Sequence, residues 1–197
     1  MVLGCSSEGT GPAERARPSV YVGAVQNTDA LVAVADDGVD WVAYVCGGAT
    51  TYATMTAWFS NHMERDAGEA RLSASSGAKE FTAAVHGELA TGTIVVDGTT
   101  FEFSAQLSGG KNEAGLFSVV DEGCRTGLVV PPASLGEAQG VWCSAPGRFQ
   151  RNGPPLFAQV TPIRPWSMAN RAILVSVSPP GVGARQLSLT PVALPLD

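Results

Sequence analysis

The sequence predicts an all-β fold, an antiparallel barrel or sandwich of short strands and hairpins with one short helix. Three observations predict it. Apolar runs of strand length, rich in β-branched and aromatic residues, recur at about 8–12-residue spacing with turn residues between them. Glycine (23) and proline (13) together occupy 36 of 197 positions, and both interrupt long helices. Asp37-Gly38 and Asp97-Gly98 each stand between two apolar runs, which is the chemistry of a tight hairpin.

Taken in order, residues 21–25 form the first strand and end at Gln26-Asn27-Thr28-Asp29. Residues 30–35 and 41–46 follow as a pair joined by the Asp37-Gly38 turn. Between Thr50 and Asp66 the composition changes to Ala, Met, Trp, Phe, Glu and Arg. Tyr52, Met55, Trp58 and Phe59 fall near helical spacing, so a short helix is expected over residues 50–59. Strands then recur over 70–75, 81–86, 89–96 and 99–105, the last two joined by Asp97-Gly98. A further hairpin is expected at Ser108-Gly109-Gly110-Lys111-Asn112, returning through 116–120 to a strand at 125–130. Beyond Pro131, strands are expected at 172–177 and 187–194, with irregular connections at 144–155 and 161–170.

Residues 1–18 read as the remnant of a signal peptide and a flexible tether, and 19–197 as a single all-β domain. Within it, 131–197 form a Pro/Arg-rich closing sub-unit that holds most of the 13 prolines. The formal net charge is −6, split as −9 over residues 1–130 and +3 over 131–197. An acidic chain lacks the cations that replace phosphate counterions, so no nucleic-acid partner is expected. No apolar run is long enough to cross a bilayer as a helix. The start is different in kind. Val2-Leu3-Gly4-Cys5 followed by Ser6-Ser7 has the pattern that ends a bacterial lipoprotein signal peptide, with Cys5 as the lipidated residue and the lipid as the membrane anchor.

With Cys5 lipidated, three thiols remain, enough for one bridge and one free cysteine; without lipidation the four could form two bridges. The expected bridge joins Cys124 and Cys143, each in a strand-like segment with a turn-rich stretch between them. Cys46 ends an apolar strand and reads as a small core hydrophobe. Zinc sites need closely paired ligands, and His62 and His86 stand beside no cysteine, so neither a metal nor any other cofactor is expected. Leu107-Ser108-Gly109-Gly110-Lys111 has the look of an ATPase signature loop but lacks the accompanying phosphate-binding G-x₄-G-K-[ST], and reads as a hairpin turn.

The segment Asn61-His62-Met63-Glu64-Arg65-Asp66 places an imidazole near carboxylates, which is the raw material of general acid–base chemistry. Its plainer reading is a solvated helix end or loop. His86 reads as a strand-end histidine at a sheet rim. Trp41, Tyr44, Tyr52, Trp58 and Phe59 crowd into fewer than 20 residues and read mainly as core. The arginines after Pro131 suit bidentate carboxylate or phosphate contacts. The partner-facing surface is therefore expected over 148–171, with Arg148, Arg151, Arg164 and Trp166 as its contacts and Phe149 and Phe157 beside them.

Tyr21-Val22-Gly23, the hairpin into Ala43-Tyr44-Val45-Cys46-Gly47-Gly48, and then Trp58-Phe59 form a frame of Y-x-G, A-Y-x-C-x-G and W-[FL]. This frame, with the hairpin from Gly92 to Phe103 and the return Ala114-Gly115-Leu116-Phe117, resembles a poorly characterised family of secreted or lipid-anchored actinobacterial β-rich proteins. The resemblance covers Tyr21 to Val120 and fades after Gly123. It implies an exported β-rich domain and names no site.

The function expected on these grounds is a non-catalytic exported protein, lipid-anchored on the outer side of the cytoplasmic membrane or in the cell envelope. It would act as an accessory or partner-binding subunit of a membrane-associated complex. The alternative is an extracytoplasmic hydrolase using the His62 region.

Overall fold

The structure, a computed structural model, describes residues 17–66, 69–108, 115–163 and 172–196. Among these residues it is all β apart from one four-residue helix and one 3₁₀ turn. β1 (Ser19–Val25), β2 (Leu31–Asp36) and β3 (Asp40–Cys46) form an antiparallel meander in register, Tyr21 opposite Val34 and Ala35 opposite Val42. After α1 (Tyr52–Met55) come β4 (Ala57–His62), β5 (Glu64–Asp66), β6 (Glu69–Ser76), β7 (Lys79–His86), β8 (Leu89–Val96) and β9 (Thr99–Leu107). They complete a nine-stranded sheet in the order β4-β3-β2-β1-β9-β8-β7-β6-β5. Asp97 (φ 50°) and Gly98 (φ 75°) both adopt the left-handed conformation that a two-residue turn between twisted strands requires.

This sheet curls on itself. A single residue, Met63, separates β4, which pairs with β3 at one edge, from β5, which pairs with β6 at the other. The Asn61 side chain donates to the Ser73 carbonyl (3.2 Å) where β4 meets β6. The bent segment thus joins the two edges and encloses a core of Trp41, Phe59, Leu72, Phe81, Ile94 and Phe103. Phe81 stacks on Trp41, Phe59 and Phe103 with ring centroids 5.3–5.6 Å apart.

The second half is a closed barrel of six strands in chain order: β10 (Gly115–Asp121), β11 (Cys124–Val130), β12 (Gln139–Cys143), β13 (Phe157–Pro162), β14 (Ile173–Val177) and β15 (Arg185–Pro191). Phe117, Leu128, Trp142, Ile173, Val175 and Leu189 fill it. A third apolar layer joins the two bodies. Val22, Leu31, Ala33, Val42, Tyr44 and Cys46 of the curled sheet pack on Leu116, Val129, Val141 and Val192 of the barrel side. That layer explains why β2 and β3 are buried along both faces, whereas β6 alternates buried and exposed residues as a one-sided strand does.

Three expectations change. The helix spans only Tyr52–Met55, and Trp58 and Phe59 lie on β4. Both residues are needed on opposite sides, Phe59 in the enclosed core and Trp58 in the layer between the bodies, and strand alternation supplies that. The hairpin expected at 108–112 does not pair its flanking strands. β9 pairs with β1 and β8, and β10 with β11 and β15, so the chain changes sheet between Leu107 and Gly115. Finally, β13 arises where the sequence suggests irregular structure up to residue 155 and again from 161. The Pro/Arg-rich stretch from 131 begins between β11 and β12, inside the barrel.

Thr126 is fully buried, and its hydroxyl has no hydrogen-bond partner. An unsatisfied buried hydroxyl costs more than the methyl that would replace it. Thr126→Val is expected to raise unfolding free energy by about 1 kcal/mol in denaturant titrations.

Candidate functional site

The β10–β11 turn and the 144–156 connection meet at one end of the barrel. Glu122 (φ 50°) and Gly123 (φ 72°) make the turn. The connection is tied to it at several points. The Cys124–Cys143 disulfide forms as expected, with Cα atoms 5.6 Å apart. The Ala145 amide donates to the Glu122 carbonyl (2.9 Å). Ser144 and Leu156 bind each other twice: the Ser144 amide donates to the Leu156 carbonyl and the Leu156 amide to the Ser144 hydroxyl, both at 3.0 Å. At the tip, the Gly147 amide donates to Gly153 and the Gly153 amide to Gln150.

Ionic contacts knit the same corner. Arg148 Nε donates to Glu122 (2.5 Å), and Arg185 spans Asp121 (2.8 Å) and Glu122 (2.9 Å). Trp142, fully buried, donates its indole N–H to Asp121 (2.8 Å), and Arg185 lies over its ring at 5.9 Å. The Arg148 and Arg185 hydrogen bonds hold the Glu122 carboxyl below its ordinary 4.5. Together Asp121, Glu122, Gly123, Ala145 and Arg148 line an open cleft of about 440 Å³. Phe149 stacks obliquely on Trp142 at 6.1 Å and is 39% exposed; Arg148 and Arg151 are exposed beside it.

Arg185 also explains how the barrel closes. β10 and β15 share only two register pairs, Phe117 with Pro191 and Ser118 with Thr190. Beyond them the Val192 amide donates to the Leu116 carbonyl (3.0 Å) at one end, and the Arg185 side chain spans the seam at the other. Arg185→Ala is expected to lower the thermal midpoint, by less at high salt because the contacts are partly exposed. Wild type should lose the Glu122 contribution progressively as pH falls from about 4.5 through the depressed folded-state value, since such a carboxyl stabilises fully above its unfolded value and not at all once it is protonated in the folded state too. Melts on both proteins from about pH 6 to 3 check this, with the two midpoints converging at the acid end.

Arg148 and Arg151 thus sit together on the tethered connection, while Arg164, Trp166 and Cys5 lie outside the described residues. Asp121, Glu122 and Arg185 complete the corner, although the sequence reading did not single them out. Only the Glu122-Gly123 pair carries a local signal there, that of a turn.

His62 lies on the curled sheet at the end of β4, and its Nδ1 is 2.5 Å from Asp40 Oδ1 on β3. It is neither a helix end nor a loop. His86 ends β7 as expected and pairs with Glu69 (3.0 Å). Cys46 is fully buried and free, and burial pushes its thiol up to about 12, the opposite of what a nucleophile needs. Among the described residues, no three metal-ligating side chains converge, and no helix is long and apolar enough to cross a membrane. The disulfide is compatible with an extracytoplasmic protein. Compared with protein-family models, curated proteins and solved structures, the chain matches none.

Proposed function

We propose that the chain is an extracytoplasmic, lipid-anchored accessory subunit that holds a protein partner of a membrane-associated complex through residues 144–156. The observation that carries this reading is the tethering of that connection. A bridge at its base, the two Ser144–Leu156 hydrogen bonds at its neck and the Arg148–Glu122 ion pair to the β10–β11 turn fix a segment whose outward residues are Arg148, Phe149 and Arg151. Arginine and aromatic side chains dominate interface energetics, and ordering them in advance removes an entropic cost that binding would otherwise carry. Lipid on Cys5 and the tether up to residue 18 would hold this surface near the membrane.

The test is retention of partners from native membranes, with Arg148→Ala/Arg151→Ala compared with wild type after crosslinking. The double variant should lose specific partners in a salt-dependent way while keeping its thermal midpoint within a few degrees, because both side chains are exposed. Equal retention at low salt would overturn the reading. Mass measurement of the full-length product in its native host tests the anchor separately, and an unmodified Cys5 removes it.

A further inference from the structure

The barrel opens on one side, where β13 and β14 part. The two strands pair only over Val160–Pro162 and Val175–Val177. Pro179 and Pro180 follow soon after, and proline has no N–H with which to extend the ladder. A groove of about 330 Å³ lies at the gap, a size within the roughly 300–1,000 Å³ of small-ligand sites. Alternation sends Ala158 and Val160 into the barrel and leaves Phe157, Gln159 and Thr161 on its outer face, with Ser176 opposite Thr161. Ser178 lines the groove just beyond β14, and Tyr52 of α1 reaches it from the curled sheet.

This lining is uncharged and rich in groups that both donate and accept. Among the described residues, no Asp, Glu, Lys, Arg or His lines the groove. Within the same residues the Gln159 amide and the Tyr52, Thr161 and Ser178 hydroxyls make no hydrogen bond, and Gln159, Thr161 and Ser178 are exposed. The Ser176 hydroxyl donates to the Thr161 carbonyl (3.4 Å), which leaves its oxygen as an acceptor. An anion bound here would find no cation to offset its lost hydration. A wholly apolar ligand would strip water from these polar groups and return nothing. A sugar meets both conditions. Its hydroxyls donate and accept as the protein's do, and the C–H face of a pyranose ring packs flat on an aromatic side chain, which half-buried Tyr52 and Phe157 supply. We infer that this groove binds a neutral mono- or disaccharide. The site uses none of Arg148, Phe149 and Arg151, so it does not depend on the partner-binding surface. Because Tyr52 belongs to the curled sheet and the other lining residues to the barrel side, a bound sugar also stabilises the docking of the two bodies.

The experiment titrates the purified full chain with cellobiose, maltose, mannobiose and diacetylchitobiose, followed by amide NMR spectra, with glucuronic acid and digalacturonic acid as charged controls. The expected result is binding of at least one of the four neutral sugars with a Kd of about 1 mM, as suits an open groove. Shifts should centre on Tyr52, on residues 157–161 and on 176–178, and the thermal midpoint should rise with saturating sugar. Gln159→Ala and Ser178→Ala should each weaken binding, Gln159→Ala by roughly 10-fold, and both should keep wild-type melting curves without sugar because the positions are exposed. Arg148→Ala/Arg151→Ala should bind sugar as wild type does, which separates this site from the partner surface. No binding of any neutral sugar up to about 10 mM, shifts centred elsewhere, tighter binding of the charged controls, or undiminished affinity in Gln159→Ala overturns the assignment.

Discussion

Gly127→Val is expected to lower unfolding free energy by roughly 3 kcal/mol and to split thermal unfolding into two transitions, one for each body. A Cβ at Gly127 would lie 2.5 Å from Cε1 and Cζ of Tyr44 and 2.7 Å from Cζ2 of Trp58. These are ring atoms of a stacked pair with centroids 4.3 Å apart, and neither ring is free to move aside. The Tyr44 hydroxyl donates to the Gly127 carbonyl (3.4 Å), and the Trp58 indole to the Arg125 carbonyl (2.9 Å). Arg125 in turn lies over the Trp58 ring at 6.0 Å. The rings therefore dock on bare β11 backbone, and a branched side chain would push the sheets apart through the whole shared layer. Calorimetry and near-ultraviolet circular dichroism check the result, and a single transition at the wild-type midpoint would show that the bodies do not depend on this contact.

Cys124→Ser/Cys143→Ser is expected to cost roughly 3 kcal/mol, the amount that closing a loop of this length removes from the unfolded chain's entropy. The sequence separation is 19 residues. The cost has a local component as well, because the bridge anchors the neck of the 144–156 connection. Proteolysis should therefore cut the double variant first within that connection, while β1–β9 remain protected. Cys46→Ser is the contrasting control. It tests a thiol buried in the layer between the bodies rather than a covalent bond, and it should leave that connection as resistant as in wild type.

Much of the architecture was legible in the chain because the signals are local. The runs at 30–35 and 41–46 with Asp37-Gly38 between them, and Asp97-Gly98 between 89–96 and 99–105, predict strands and turns that the structure contains. The Cys124–Cys143 bridge was legible too, since both cysteines lie in strand-like runs on either side of a turn-rich stretch. The segment 50–66 misled because Tyr52, Met55, Trp58 and Phe59 fit a helical period as well as they fit a helical turn followed by a strand. Which reading wins depends on the β3 edge that β4 pairs with, and that edge is far from obvious in the segment itself.

The sequence by itself determined the all-β class, most strands, the tight turns and the Cys124–Cys143 pairing. Each of these rests on residue chemistry acting over a few positions or on simple apolar patterning. Tertiary structure alone decided how the strands divide between a curled sheet and a closed barrel, and which face of each meets the other. It also brought Asp40 to His62, Arg185 to Asp121 and Glu122, and Tyr44 and Trp58 to Gly127. Those pairs are separated by 22, 63 or 64, and, for Tyr44 with Gly127, 83 residues. Their meeting depends on register and on packing between sheets, which no single segment encodes.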